Sequence, residues 1–128
     1  MPTMTGKTVL ITGANSGIGF ATAKGLAKQG AQVVMLCRSR EKGEAARAEI
    51  IQTSGNSDVH LLLADLGVQE QVHRAAAEFK SKFKRLDVLI NNAAIIPPKR
   101  EVTSDGIETQ FAVNHLSYFL LSHLLLDV

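Results

Sequence analysis

The sequence predicts an α/β fold in which helices cover both faces of a doubly wound parallel sheet. Short apolar runs alternate strictly with longer helical segments, and no repeat or linker interrupts the 128 residues. The apolar runs are continuous, as expected for strands that are buried on both faces. Hydrophobic residues make up 45% and charged residues 20% of the chain, which suits one globular domain over residues 1–128. Right-handed crossovers then give the strand order 3-2-1-4.

Apolar runs and helix signals place the individual elements. The predicted strands are Lys7–Thr12, Gln32–Cys37, Val59–Ala64 and Leu86–Asn91. The predicted helices are Gly17–Gln29, Glu41–Thr53, Gln69–Phe83 and a last helix from about Asp105. Gly30 is a C-terminal stop for the first helix. Asp105 and Glu108 have the spacing of an N-cap and its N3 partner, which predicts the start of the last helix.

A glycine-rich turn, Thr12–Gly19, directly follows the first strand. Gly13 permits a tight turn, Gly17 lets the backbone approach a pyrophosphate, and Gly19 lets the helix pack closely on the strand. The N-terminus of that helix offers N–H groups and a partial positive charge. An ordinary strand-to-helix turn could carry the same glycines, and no Gly-Lys-Ser/Thr follows as in a P-loop. The predicted cofactor contacts from this turn are Gly13, Asn15, Ser16, Gly17, Ile18 and Gly19.

The second strand ends in Cys37-Arg38-Ser39, with no acidic residue before Glu41. A carboxylate at this position would accept a hydrogen bond from the ribose 2′-hydroxyl of NAD. An arginine instead offers a fork of donors to the 2′-phosphate of NADP. Arg38 and Ser39 therefore predict NADP rather than NAD. The alternative for Arg38 is a solvated charge on a loop.

Two further strand ends carry candidate cofactor residues. Asp65, followed by Leu66, could accept a hydrogen bond from the adenine amino group, or it could simply form a turn, and the two roles are compatible. The fourth strand closes with Asn91-Asn92-Ala93-Ala94. Its small residues would let a flat ring lie against the backbone, although the same residues could also form a plain turn. From this segment we predict cofactor contacts at Asn92, Ala93 and Ala94.

Together these motifs resemble the short-chain dehydrogenase/reductase family over essentially the whole chain. The shared features are the glycine pattern, Asp65-Leu66, Asn91-Asn92-Ala93 and Asn114. The stretch 103–121 is similar, more narrowly, to the retinol dehydrogenase-like branch, including the protochlorophyllide reductase group. Ala94 departs from the family, which usually has glycine there, and this puts the fit of the cofactor at that point in question.

The resemblance implies a Rossmann-type fold and an NADP-dependent oxidoreductase that transfers a hydride between nicotinamide and a small carbonyl or alcohol substrate. It assigns Asn114 to the catalytic set, where it holds a water of the proton relay and marks an irregular turn of its helix. The alternative is that Asn114 is a purely structural asparagine inside a buried helix.

The family also uses a serine and a Tyr-x-x-x-Lys pair. The one tyrosine, Tyr118, is followed four residues later by Ser122, and no lysine or arginine follows Arg100. We therefore interpret Tyr118 as a packing residue.

The missing pair predicts an N-terminal portion of a longer reductase that is inactive by itself, with a sheet incomplete at its C-terminal side. An exposed fourth strand and a last helix that is apolar on nearly every side from Leu116 agree with this. The alternative is a non-catalytic NADP-binding module with a regulatory or scaffolding role.

Composition and charge argue against several other classes of protein. A net charge of +2 is too small to predict a nucleic-acid partner, and no apolar stretch has the length of a membrane span. Cys37 is the only cysteine and no targeting segment is evident, so we expect a cytoplasmic protein. His115 and His123 lack a third ligand nearby, so no metal site is predicted. The apolar last helix would suit a homodimer face.

Overall fold

The structure is a computed structural model and describes residues 3–128. Its sheet has four parallel strands: Thr8–Thr12 (β1), Gln32–Cys37 (β2), Val59–Leu63 (β3) and Val88–Ile90 (β4). The strand order is β3-β2-β1-β4. Both the parallel α/β fold and its order are therefore confirmed.

The first three helices connect successive strands and are Gly17–Lys28 (α1), Arg40–Ser54 (α2) and Gln69–Lys82 (α3). A last helical stretch follows β4 and comprises Thr109–Phe111 (α4), a π-helical segment Ala112–Leu116 and Ser117–Leu124 (α5). The π-helical segment joins α4 to α5 without a break. The family resemblance predicted an irregular turn around Asn114, and the structure has one there.

Buried β1 is the centre of the sheet. It pairs with β2 along all of Thr8–Thr12 and with β4 along Val9–Ile11. Val9 and Ile11 face a core cluster with residues of α1 and α2, whereas Leu10 faces a second cluster with residues of α3 and α5. Burial of alternate side chains on both faces explains why the strand sequence is continuously apolar.

The start of the last helix was predicted wrongly. Glu108, not Asp105, caps it, because the Glu108 carboxylate accepts hydrogen bonds from Gln110 N at 2.8 Å and Phe111 N at 2.9 Å. Asp105 instead accepts a hydrogen bond from Gln69 N at 2.9 Å, at the start of α3. The residues before Glu108 form a turn, closed by an isolated antiparallel bridge between Val102 and Glu108.

The fourth strand is half the predicted length. Asp87, which was expected inside it, uses its carboxylate to accept a hydrogen bond from Thr8 N at 2.8 Å. β4 lies at one edge of the sheet, with β1 as its partner. Within residues 3–128, none of the helices combines the length and the apolar character needed to cross a membrane.

Candidate functional site

An open cleft of about 900 Å³ lies at the carboxyl ends of the strands. In doubly wound sheets this is the edge at which ligands bind. All predicted cofactor residues except Gly19 line the cleft: Gly13, Asn15, Ser16, Gly17, Ile18, Arg38, Ser39, Asp65, Leu66, Asn92, Ala93 and Ala94. Residues predicted from four separate strand ends therefore come together in one place.

Gly13 and Gly19 hold the glycine-rich turn against its neighbours. Gly13 has a φ of +65°, and a Cβ there would lie 2.8 Å from Ala93 Cα. A Cβ on Gly19 would overlap Gly13 O and Asn92 Nδ2. Both glycines are therefore required by close contact inside the protein, which explains why Gly19 lies behind the cleft wall and not in it.

Gly17 has a different environment. It begins α1 with a φ of +58°, and a Cβ there would meet nothing within 4 Å. Ser16 precedes it without a side-chain capping hydrogen bond, and the Ile18 side chain is 79% exposed. The first-turn N–H groups of a helix lack intrahelical acceptors. The turn therefore presents backbone N–H donors and open space at the predicted position of the pyrophosphate.

The end of β2 is cationic. Arg38 is exposed and forms no side-chain hydrogen bond or ion pair within residues 3–128, and Lys42 lines the cleft one turn into α2. Ser39 is the N-cap of α2 and its Oγ accepts a hydrogen bond from Lys42 N at 3.2 Å. Ser39 thus has a structural role besides its predicted contact with the cofactor. The Arg38 guanidinium is therefore available to bind an anion.

Cys37, just before Arg38, is buried below the glycine-rich turn. Burial raises the pKa of its thiol from 9.0 to about 11, against the opposing effect of backbone hydrogen bonds from Ala14 and Asn15. The thiol is therefore neutral at physiological pH. It contributes packing at this position and no nucleophile.

Asp65 forms the turn that the sequence left open as an alternative. Its Oδ1 accepts a hydrogen bond from Gly67 N at 2.9 Å, while its own N–H donates to Gln71 Oε1 at 2.8 Å. Asp65 also lines the cleft. The turn fixes the carboxylate without excluding a contact from its second oxygen.

The segment after β4, residues 91–95, is held to β1 by Thr12. Thr12 Oγ1 accepts hydrogen bonds from Asn92 N and from Ala93 N, both at 3.0 Å. The Asn92 side chain returns the contact, because its Nδ2 donates to Thr12 O and Gly13 O, each at 3.2 Å. Thr12 was not predicted as a site residue. Its only signal was a hydroxyl at the end of an apolar strand.

Ala94 was the one departure from the family's motif. No residue other than glycine has a positive φ within residues 3–128, so the backbone at Ala94 suits an L-residue. Ala94 is exposed at the cleft. The alanine therefore causes no backbone strain.

Asn114 lies in the π-helical segment and clamps the same loop from the other side. Its Oδ1 accepts a hydrogen bond from Ile95 N at 2.9 Å, and its Nδ2 donates to Ile95 O at 2.8 Å. Asn114 itself does not line the cleft, whereas Ile95 does. The two hydrogen bonds of Asn114 therefore fix the backbone of the loop at Ile95.

Tyr118 does more than pack, contrary to our interpretation of the sequence. Its Oη donates a hydrogen bond to Ala93 O at 2.6 Å. Four residues further along α5, Ser122 Oγ accepts a hydrogen bond from Asn91 Nδ2 at 3.2 Å. Burial raises the pKa of Tyr118 above its ordinary value, so the phenol is protonated and able to donate at neutral pH.

Further residues that line the cleft were not predicted as site residues. They precede α3, or belong to the turn before α4, to α4 and to the π-helical segment: Gly67, Val68, Glu101, Thr103, Ser104, Thr109 and Val113. Those from 103 onward lie in the stretch that resembles the retinol dehydrogenase-like branch, but their residue types do not indicate a contact with a ligand. Among the residues that the structure describes, no group of three or more His, Cys, Asp or Glu side chains could hold a metal ion.

The sequence profile of the short chain dehydrogenase family matches residues 7–128. Human retinol dehydrogenase 11 is 47% identical over 95% of the chain, and mouse retinol dehydrogenase 12 is 46% identical over 95%. The crystal structure of L-sorbose reductase from Gluconobacter frateurii, complexed with NADPH and L-sorbose, superposes over 97% of the chain with a TM-score of 0.84 and 27% identity. The chain spans 38% and 39% of the two retinol dehydrogenases and 48% of the L-sorbose reductase.

Proposed function

This chain belongs to the short-chain dehydrogenase family, and from that premise we propose that it supplies the cofactor site of an NADP-dependent oxidoreductase. The reaction would transfer a hydride between nicotinamide and a small carbonyl or alcohol compound. The chain is retinol dehydrogenase-like in sequence. A retinoid substrate does not follow from that likeness, because substrate contacts depend on the site and not on the family.

The cleft fits a dinucleotide in size and in chemistry. Its volume of about 900 Å³ lies in the upper part of the range for cofactor pockets. The open space at Gly17, at the N-terminus of α1, would receive the pyrophosphate, where a side chain would otherwise compete for room. Asp65, held in its turn, would accept a hydrogen bond from adenine. The nicotinamide half would then lie over Ala93 and Ala94, at the end of β4.

The observation that carries the choice of NADP is the cationic end of β2. Arg38 is exposed at the cleft without a protein partner in residues 3–128, and Lys42 also lines the cleft. The strand end has no carboxylate to accept a hydrogen bond from a free ribose hydroxyl. An arginine and a lysine there favour a 2′-phosphate, which offers charge-assisted hydrogen bonds to both.

When bound, the nicotinamide supplies or accepts the hydride. The residues of this chain bind and orient it: backbone donors of the glycine-rich turn contact the pyrophosphate, Arg38 the 2′-phosphate, and the 91–95 loop supports the ring. Asn114 fixes that loop through Ile95. Its role in the catalytic set, with a water of the proton relay, is part of this proposal.

Proton transfer needs a further group that this chain does not offer. Tyr118 donates its hydroxyl hydrogen to Ala93 O, and Ser122 stands where a lysine would lower the pKa of the tyrosine. We propose that the protein's proton-transferring residues lie outside the 128 residues, so that this chain binds the cofactor without turning over substrate. The cytoplasmic location and the homodimer through the last helix stay predictions.

Calorimetric titration with NADPH and NADH tests the proposal. We expect NADPH to bind at least about tenfold more tightly than NADH, since a charge-assisted hydrogen bond contributes roughly 1.5–3 kcal/mol. Arg38→Ala should reduce that preference, with Lys42 left to contact the 2′-phosphate. Arg40→Ala is the matched control, because Arg40 is equally exposed but does not line the cleft. Tighter binding of NADH, or an equal loss from Arg40→Ala, would contradict the assignment.

A further inference from the structure

Three polar side chains form a stripe along the last helical stretch, at intervals of four residues: Asn114, Tyr118 and Ser122. They contact alternate residues of the loop after β4, in reverse order: Ile95, Ala93 and Asn91. Asn114 makes two hydrogen bonds, at 2.9 and 2.8 Å, and Tyr118 and Ser122 make one each, at 2.6 and 3.2 Å. The loop and the helix thus run antiparallel, in matched register.

Backbone geometry explains the match. Four residues of helix advance about 6 Å along its axis, and two residues of extended chain advance about 6.6 Å. A side chain on every turn of the helix can therefore meet every second residue of the loop. Loss of the middle member, Tyr118, would leave a gap of about two turns of helix without a polar contact.

The middle contact holds Ala93, which packs against the glycine-rich turn. Ala93 has both backbone polar groups bound by side chains, its N–H by Thr12 Oγ1 at 3.0 Å and its carbonyl by Tyr118 Oη at 2.6 Å. Its Cα occupies the space that a Cβ on Gly13 would need, 2.8 Å away. A small shift of Ala93 would therefore change the width of the cleft at its nicotinamide end.

We propose that Tyr118 and Ser122 are positioning residues, which set the loop 91–95 and thereby the nicotinamide half of the cofactor cleft. The ligand in this statement rests on the proposed function. The mechanical part, that the hydroxyl of Tyr118 fixes Ala93, stands on the protein without ligand. Tyr118 acts through Ala93 and touches no reacting atom.

The first experiment measures amide hydrogen exchange by NMR on the whole chain without ligand. Tyr118→Phe keeps the ring and removes only the hydroxyl. We expect exchange at Ala93 and Ile95 to accelerate about 3- to 10-fold, the effect of one hydrogen bond, while exchange at Leu10 in β1 stays unchanged. Ser122→Ala should accelerate the same loop amides by a smaller factor, and it replaces Tyr118→Phe should that variant fail to fold.

The second experiment compares two ligands of different length. NADPH would fill the whole cleft, whereas adenosine 2′,5′-bisphosphate would fill only the adenine half. Tyr118→Phe should weaken NADPH binding about 3- to 10-fold and leave the affinity for the bisphosphate unchanged. Phe119→Ala is the control on the same helix: it removes a larger group, but that side chain is 69% exposed and contacts none of the loop by hydrogen bond.

The outcomes separate the two proposals. Faster exchange confined to the loop amides, together with weaker binding of NADPH but not of the bisphosphate, supports the positioning role. Unchanged exchange at Ala93 overturns it, whatever the binding data show. An equal loss of both ligands, or an equal effect of Phe119→Ala, also overturns it. Failure of the unaltered chain to bind either ligand contradicts the proposed function, and the exchange rates then decide the link between Tyr118 and Ala93 separately.

Discussion

Alanine substitutions at the three glycines of the turn should separate protein stability from cofactor binding. Gly17 has a positive φ and open space around its missing Cβ. Gly19 has no positive φ, but a Cβ there would overlap Gly13 O and Asn92 Nδ2. Gly13 combines a positive φ with a Cβ position only 2.8 Å from Ala93 Cα. The three positions therefore isolate backbone strain, steric overlap and the sum of both.

The expected losses follow from these geometries. Gly17→Ala forces a left-handed conformation that costs about 1–2 kcal/mol, offset by roughly 0.5–1 kcal/mol because the unfolded chain loses entropy. Gly19→Ala gains a similar entropy term but overpacks a backbone carbonyl, at about 1–3 kcal/mol, and displaces the Asn92 side chain from two hydrogen bonds of about 1 kcal/mol each. Net losses of about 1 kcal/mol for Gly17→Ala and about 3 kcal/mol for Gly19→Ala result. Gly13→Ala combines backbone strain with overlap and should also lose about 3 kcal/mol.

Urea denaturation measures the free energies of unfolding, and calorimetry measures the NADPH affinity of each folded variant. Gly17→Ala should be the most stable variant and yet lose NADPH binding by at least about tenfold, because its methyl group enters the space proposed for the pyrophosphate. A Gly17→Ala variant that binds NADPH as the unaltered chain does would refute this location. A larger stability loss for Gly17→Ala than for Gly19→Ala would refute the steric reasoning.

Three further predictions concern the groups around the cleft. Burial raises the pKa of Cys37 from 9.0 to about 11, so the folded state retains the thiol proton to higher pH than the unfolded state does. The free energy of unfolding should therefore fall as pH rises between these two values. Urea denaturation at stepped pH measures this decline, and Cys37→Ala should flatten it. Asn114→Ala leaves both polar groups of Ile95 without their partner and should destabilise by about 2 kcal/mol in the same assay, with Asn114→Asp, which keeps only the acceptor, losing less. Hydrogen bonds from Gln110 N and Phe111 N lower the pKa of Glu108. Its contribution to the free energy of unfolding is therefore fully present above the ordinary pKa of 4.5 and is lost as pH falls through the lowered pKa. Thermal melting of Glu108→Gln should lack that acid dependence.

The fold was predictable because its signals are local. Each strand is a short apolar run, and three of the four strands end in a turn that contains glycine, asparagine or aspartate, so the sequence alone places the elements within a few residues. The glycine-rich turn was predictable for the same reason, since Gly13, Gly17 and Gly19 follow directly after the first strand. The order 3-2-1-4, predicted for a doubly wound sheet with right-handed crossovers, is the one that the structure has.

The start of the last helix was not predictable from local signals. Asp105 and Glu108 have the spacing of a capping box, but Asp105 is bound to Gln69 N, 36 residues earlier. The residues before Glu108 form a turn in which Thr103 N donates to Ile107 O and Gly106 N donates to Thr103 O, and Glu108 is the cap instead. A tertiary hydrogen bond thus overrides a capping pattern that was correct in residue type and wrong in partner.

Tyr118 escaped prediction for a related reason. Its hydroxyl contacts Ala93, 25 residues earlier, and nothing in the sequence around Tyr118 indicates that partner. The resemblance to the family predicts a Tyr-x-x-x-Lys pair that the chain lacks, and the sequence around its one tyrosine indicates only packing. Thr12 was overlooked likewise, since its contacts with Asn92 and Ala93 join residues 80 and 81 positions apart.

The two halves of the cleft are consequently built in different ways. The half of the cleft that we propose for adenine and pyrophosphate is lined by a turn whose glycines can be recognised in the sequence. The half that we propose for nicotinamide is lined by a loop that follows a strand of only three residues and whose shape is imposed by side chains of β1 and the last helix. Substitutions within the loop that keep its backbone conformation, such as alanine for glycine at Ala94, can therefore be tolerated, whereas removal of a distant hydroxyl that holds the loop should not be. The residues that control this half of the site lie on helices and strands outside its motif.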